Sequence, residues 1–105
     1  MTMQRFFAGQ TKPGETAWQV RDETSIRLLV DTHAAAFEFT PIYVASLGGA
    51  NDQWTTFGGS AIYKPTRFGF QVNLPLADGS ALTPDIANEH QWHINWIGVE
   101  DQISA

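Results

Sequence analysis

Glycine and proline interrupt this chain at nearly regular intervals. Gly9, Pro13-Gly14, Pro41, Gly48-Gly49, Gly58-Gly59, Pro65, Gly69, Pro75, Asp78-Gly79 and Pro84 divide it into short pieces. The pieces run to about 8–12 residues, the spacing of an all-β sandwich or barrel. None carries a sustained apolar repeat at helical period. The chain has 105 residues, which fits one domain spanning 1–105. Residues 1–17 are read as an N-terminal arm or an edge strand. A domain of this size buries roughly 65% of its unfolded surface, enough for one core.

The pieces between breakers read as strands. Ser25 to Asp31 alternates, with Ile26, Leu28 and Val30 set against Arg27 and Leu29. Phe68 to Leu74 places Phe68, Phe70, Val72 and Leu74 on one face and Gly69, Gln71 and Asn73 on the other. Trp92 to Val99 places Trp92, Ile94, Trp96 and Gly98 opposite His93, Asn95, Ile97 and Val99. Ile42 to Leu47 is apolar on both faces, which predicts a central, covered strand. Weaker strands are expected at Met3–Ala8, Trp18–Val20, Ala36–Phe39 and Ser60–Tyr63. Three alanines at 34–36 favour helix, but Phe37, Phe39 and Thr40-Pro41 follow too closely for one. Thr83-Pro84-Asp85-Ile86-Ala87-Asn88 has a capping residue, proline at the first helical position and an early acidic residue. It predicts one helical turn. The expected fold is therefore an antiparallel β-sandwich of six to eight strands.

Charge narrows the partners. Eleven acidic residues against six basic ones give a formal charge of −5. Such a surface repels phosphate backbones, so nucleic acid and anionic membranes are poor partners. No apolar run approaches the ~20 residues that span a bilayer, and Met1-Thr2-Met3-Gln4-Arg5-Phe6-Phe7 is too short for a signal-peptide core. A soluble protein is expected, with no compartment specified. Cysteine is absent, which removes disulfides, thiolate metal sites and thiol nucleophiles. Charged residues make up 16% of the chain, below the ~25% usual for globular domains. Seven Phe, four Trp and two Tyr accompany that low charge. The combination predicts that part of the surface is buried in an oligomer.

Few residues specify chemistry. Glu89-His90-Gln91-Trp92-His93 offers two histidines and a carboxylate, suited to metal binding or proton transfer. A separation of three puts His90 and His93 on opposite faces of a strand, and no zinc pattern occurs. They read as a loop histidine and a sheet-surface histidine. His33 follows Asp31-Thr32, residues that bond local backbone in turns. No GxSxG elbow accompanies Ser46 or Ser60. Gly48-Gly49 and Gly58-Gly59 lack the helix and lysine of a phosphate loop, and read as turn glycines. No catalytic residue, metal or cofactor is therefore assigned.

The tryptophans say more. Trp96 lies mid-strand and belongs to the core. Trp92 opens its strand, where the ring either closes the core or faces a ligand. Trp54 sits in the polar loop Asn51-Asp52-Gln53-Trp54-Thr55-Thr56. It either tucks under that loop, joins a subunit contact, or forms an apolar shelf on which a sugar ring stacks. In the last case the nearby polar groups take the hydroxyls.

Four stretches carry a resemblance. They are Phe37-Glu38-Phe39-Thr40-Pro41-Ile42-Tyr43-Val44-Ala45-Ser46-Leu47, Ala61 to Val72, the loop that follows, and His93-Ile94-Asn95-Trp96-Ile97-Gly98-Val99-Glu100. Together, over about residues 18–100, the chain resembles the H-type lectin domain. It is also similar to bacterial β modules bearing Val30-Asp31-Thr32, Ser46-Leu47-Gly48-Gly49, Ile62-Tyr63, Leu82-Thr83-Pro84 and Trp92-His93-Ile94. The lectin resemblance implies a six-stranded antiparallel sandwich, assembly as homotrimers or stacked hexamers, and sugar binding at protomer boundaries. The family's arginine before the tyrosine strand is replaced here by Gly58-Gly59-Ser60. Its loop Trp-His pair also has no match at the same distance, since Trp92-His93 falls later. The family's binding residues are therefore not carried over.

The expected function is an oligomeric carbohydrate-binding module that recognises a glycosylated surface. Trp54 is its stacking platform, Asp52, Asn51 and His90 take hydroxyls, and Trp92 is a second platform. The rivals are a structural trimerisation or attachment module, and a small enzyme using Glu89, His90 and Asp85 at a subunit boundary.

Overall fold

A computed structural model describes the backbone of residues 2–103 and the side chains of residues 4–101. Its strands are β1 (Thr2–Gln10), β2 (Gln19–Asp22), β3 (Ser25–Asp31), β4 (Ile42–Gly48), β5 (Tyr63–Thr66), β6 (Gly69–Pro75) and β7 (His93–Ile103). The one α-helix among the described residues is α1 (Pro84–Glu89). The strands form a three-stranded sheet, β1-β7-β4, and a four-stranded sheet, β2-β3-β6-β5, with every pairing antiparallel. No helix of the described residues is long and apolar enough to cross a membrane.

Period-two alternation builds the core. β3 contributes Ile26, Leu28 and Val30, β6 contributes Phe70, Val72 and Leu74, and β7 contributes Ile94 and Trp96. The two sheets meet through rings. Tyr43 lies 4.6 Å from Phe70, and Trp96 stands edge-on to both, at 6.2 and 6.4 Å between centroids. These edge-to-face contacts add to area burial. Phe7 and Gly9 of β1 share the inward face with Trp96. The indole lies so close to Gly9 that a Cβ there would meet it at 2.6 Å. The helical turn forms where its start signals predict, with the Thr83 hydroxyl accepting the Ile86 N–H at 3.3 Å. It covers the core with buried Ala87.

Three expectations are corrected. Ser60–Tyr63 is not a strand: β5 begins only at Tyr63, because Gly58 takes φ 83° and the Ala61 N–H turns back to the Gly58 carbonyl at 3.0 Å. Ile42–Leu47 is not central. β7 is the middle strand, and β4 is an edge with Ile42 and Val44 exposed. Among the described residues nothing covers its second apolar face. Ala36–Phe39 is not a strand either. His33–Ala35 makes a 3-10 turn, Ala36 adopts left-handed backbone at φ 52°, and the buried Glu100 carboxylate accepts the Phe39 N–H at 2.6 Å. The same carboxylate meets the Arg5 guanidinium at 3.3 Å, and Arg5 donates to the carbonyls of Ala35 and Ala36. This long-range clamp sets the path of residues 35–39.

The outer face of the three-stranded sheet carries two apolar rows. Register aligns Phe6, Val99 and Ile42 in one, and Ala8, Ile97 and Val44 in the next. A third row, Gln10, Asn95 and Ser46, is polar but uncharged. Phe6 is 61% exposed, Ile42 69% and Val44 58%. Together these three expose roughly 300 Å², the size at which a patch on a monomer is often functional.

Candidate functional site

Strand direction puts the ends of β4 and β6 and the start of β7 at one end of the sandwich. The loop after β4 is fixed there by backbone bonds on both sides. Ala50 N–H donates to the His90 carbonyl at 2.9 Å. Phe57 N–H reaches the Pro75 carbonyl, Ala77 N–H reaches the Thr55 carbonyl at 2.7 Å, and Thr56 bridges Leu76. Within the loop, Gln53–Thr55 forms a 3-10 turn whose hydroxyl donors, on Thr55 and Thr56, bond the carbonyls of Asp52 and Gln53. The Gln53 amide donates to the Gly49 carbonyl at 2.8 Å. A loop held by this many internal bonds presents its side chains with little ordering entropy left to lose.

Asn51, His90 and Trp92 lie together. The His90 Nδ1–H donates to Asn51 Oδ1 at 2.7 Å, and the imidazole stacks on Trp92 at 5.1 Å and 24°. The Trp92 indole N–H donates to the Asn51 carbonyl at 2.9 Å. Trp92 is only 1% exposed. It closes the core, its ring is covered by His90, and it is not a second stacking platform. Its indole is instead the foundation under the loop. Gly49 passes directly against that ring, where a Cβ would meet Trp92 at 2.5 Å.

Asp52 takes left-handed backbone at φ 65°, as does Gln91 at φ 58° across the cluster. Among the described residues no side chain engages the Asp52 carboxylate. The His90 Nε2 and the Asn51 amide nitrogen also have no partner there. One acceptor carboxylate, one imidazole acceptor and one amide donor thus face outward beside the loop. Trp54 does not tuck under the loop. It is 83% exposed, with Phe57 half exposed three residues on. At ~25 cal/mol per Å², an indole this open leaves about 4–5 kcal/mol of burial energy unrealised in the isolated chain.

His93 has an ordinary setting. Its Nδ1–H donates to the Gln91 carbonyl at 2.9 Å, and its Nε2 accepts from the Gln10 amide at 3.0 Å. That pattern gives both ring nitrogens a hydrogen-bond partner. Among the described residues no group of three or more His, Asp or Glu side chains is placed to hold a metal ion.

Sequence reasoning passed over the opposite end of the sandwich, where β3 ends and the β5–β6 turn lies. A recess of about 290 Å³ opens there on the outer face of the four-stranded sheet, lined in part by Asp31, His33, Lys64 and Phe68. Asp31 and His33 do form the local turn bond that was expected, but Lys64 and Phe68 arrive from a hairpin more than thirty residues later. No local signal joins them.

Comparison with known protein families, with curated proteins and with solved structures finds no match to this chain.

Proposed function

We propose that this protein is an oligomeric carbohydrate-binding module with a sandwich of the H-type lectin kind, in which Trp54 is the platform for a sugar ring. The observation that carries this reading is an 83% exposed indole on a loop braced by backbone bonds at both ends. An indole face suits the apolar side of a pyranose, and the free groups of Asn51, Asp52 and His90 suit its hydroxyls. A single such site binds weakly, so the reading includes several copies presenting it together. The uncharged apolar rows of Phe6–Val99–Ile42 and Ala8–Ile97–Val44 supply a face for that assembly, and a homotrimer is the proposed state.

A second reading draws on the same apolar face. If the module is a structural attachment piece, Trp54 and Phe57 bury a subunit or partner contact instead of a sugar. The Trp54→Ala variant separates the two on a glycan array and by analytical ultracentrifugation. The lectin reading expects saturable glycan hits that fall at least tenfold in the variant at unchanged assembly mass. Loss of the assembly, or hits that the variant retains in full, overturns it.

A further inference from the structure

The recess at the far end of the sandwich is built from two walls locked to one another through the core. One wall is the 3-10 turn after β3, and the other is the β5–β6 turn. Thr32 N–H donates to the Phe68 carbonyl at 2.9 Å. The Tyr43 hydroxyl donates to the Thr66 carbonyl at 2.7 Å and meets the Thr32 hydroxyl at 2.8 Å. The Thr66 hydroxyl in turn accepts the Phe68 N–H at 3.1 Å. A recess framed in this way needs little reorganisation to receive a ligand.

Its lining has two characters. Leu29 and Phe68 give an open apolar surface. His33 stacks on Phe68 at 4.5 Å and 14°, and the Arg67 guanidinium lies 4.6 Å from the same ring. Lys64 lines the recess from a left-handed backbone at φ 49°, a conformation that costs a non-glycine residue energy. Among the described residues neither Lys64 nor Arg67 has an acidic partner. The Asp31 carboxylate also lines the recess, and its Oδ1 lies 2.6 Å from His33 Nδ1 and accepts the His33 N–H at 2.9 Å. Lys64 in the lining and Arg67 over the Phe68 ring thus stand on the same side of an acidic chain as Asp31, with neither cation paired to it.

We propose that this recess binds a small ring-bearing carboxylate, its apolar ring against Leu29 and the exposed part of Phe68 left between His33 and Arg67, and its carboxylate toward Lys64, with Arg67 next to it over Phe68. The volume of about 290 Å³ is at the small end of ligand sites and suits a single ring. An acidic sugar residue and an aromatic acid share this chemistry. The site lies at the other end of the sandwich from the Trp54 loop, so it stands or falls separately from the proposed sugar platform.

Amide-resolved NMR titration tests it, with glucuronate and benzoate as probes and glucose as the neutral control. Binding with a Kd of about 1 mM is expected for either acid, with shifts confined to residues 29–33 and 63–71. Glucuronate alone acting identifies an acidic sugar, benzoate alone an aromatic acid, and both acting the shared chemistry. Trp54→Ala leaves these shifts unchanged. Phe68→Ala abolishes them. The pair Lys64→Asn and Arg67→Gln keeps the fold, since asparagine tolerates left-handed backbone. It weakens acid binding about tenfold, which is the loss of about 1.4 kcal/mol of charge-assisted contact. The absence of shifts with both acids at about ten times that Kd overturns the proposal. So does equal binding of glucose, or full affinity in the Lys64 and Arg67 variant.

Discussion

Tyr43→Phe removes one oxygen from the centre of this structure and tests the account of how its two sheets are tied. The hydroxyl donates to the Thr66 carbonyl at 2.7 Å and meets the Thr32 hydroxyl at 2.8 Å, while the ring stays packed against Phe37, Phe70 and Trp96. Phenylalanine keeps the ring and leaves the buried Thr32 hydroxyl and the partly buried Thr66 carbonyl without this partner, so the loss is that of a satisfied bond plus the desolvation of what remains. That amounts to about 1–3 kcal/mol at pH 7. Urea titration at one fixed protein concentration reads it as a lower midpoint with an unchanged slope. Alkaline pH gives an independent check. Burial raises the Tyr43 phenol above its ordinary 10.0, and the bond to Thr32 offsets this only in part. A group whose folded pKa is raised contributes stability that is complete below the unfolded pKa and lost as pH climbs through the folded one. Wild type is therefore expected to lose stability above about pH 10 through a component absent from Tyr43→Phe, and the gap between the two proteins narrows as pH rises. A variant as stable as wild type at pH 7, or a gap that is constant or widening up to the alkaline limit, refutes this account of Tyr43.

Glu100→Ala strips the clamp on residues 35–39 and leaves the Phe39 N–H and Arg5 without their acceptor. A cost of about 2–3 kcal/mol is expected in the same urea assay, with Glu100→Gln retaining much of the loss-free bond to Phe39. Val44→Lys places a charge in the middle of the exposed apolar rows. It should change the stability of the single chain by less than about 0.5 kcal/mol, since the side chain is already in water. In sedimentation velocity it should shift the assembly to single chains, and an unchanged mass would show that the copies meet elsewhere.

Alternation made the sandwich legible. β3 has the bounds read from its sequence, and Phe70, Val72 and Leu74 of β6 and Ile94 and Trp96 of β7 face inward as expected, whereas Phe68 falls in the turn before β6 and is exposed. The misreadings have physical causes that act across the chain. Gly9 and Gln10 do not look like strand residues, yet β1 runs through them because the Trp96 indole fills the space over Gly9. Phe37 and Phe39 look like a strand, but Glu100, sixty-one positions away, takes the Phe39 N–H that a ladder would need. The apolar second face of β4 was read as a sign of central position, and it marks an uncovered flank instead. At the candidate site, composition brought Asn51, Asp52, Trp54 and His90 into view. It did not separate the exposed indole of Trp54 from the buried one of Trp92, because that difference depends on which ring the Asn51 carbonyl reaches. The recess escaped notice because Asp31 and His33 come from the turn after β3 while Lys64 and Phe68 come from the β5–β6 hairpin, more than thirty residues later.

The position of the apolar rows bears on whether the sugar reading makes sense as multivalent recognition. The rows lie on the flank of the sandwich, while the Trp54 loop is at one end and the recess at the other. Copies that bury this flank around a rotation axis running along the strands bring every Trp54 loop to the same end, where several weak sites engage one glycosylated surface. Copies that bury it about an axis perpendicular to the strands send their Trp54 loops to opposite ends, where one flat surface is met by only some of them. Avidity falls away when geometry forbids simultaneous engagement. The symmetry of the assembly is thus part of the functional claim. For a trimer whose axis runs along the strands, the gain of binding on a densely glycosylated surface over binding to a free sugar should be large. A face-to-face dimer with opposed loops should show almost none.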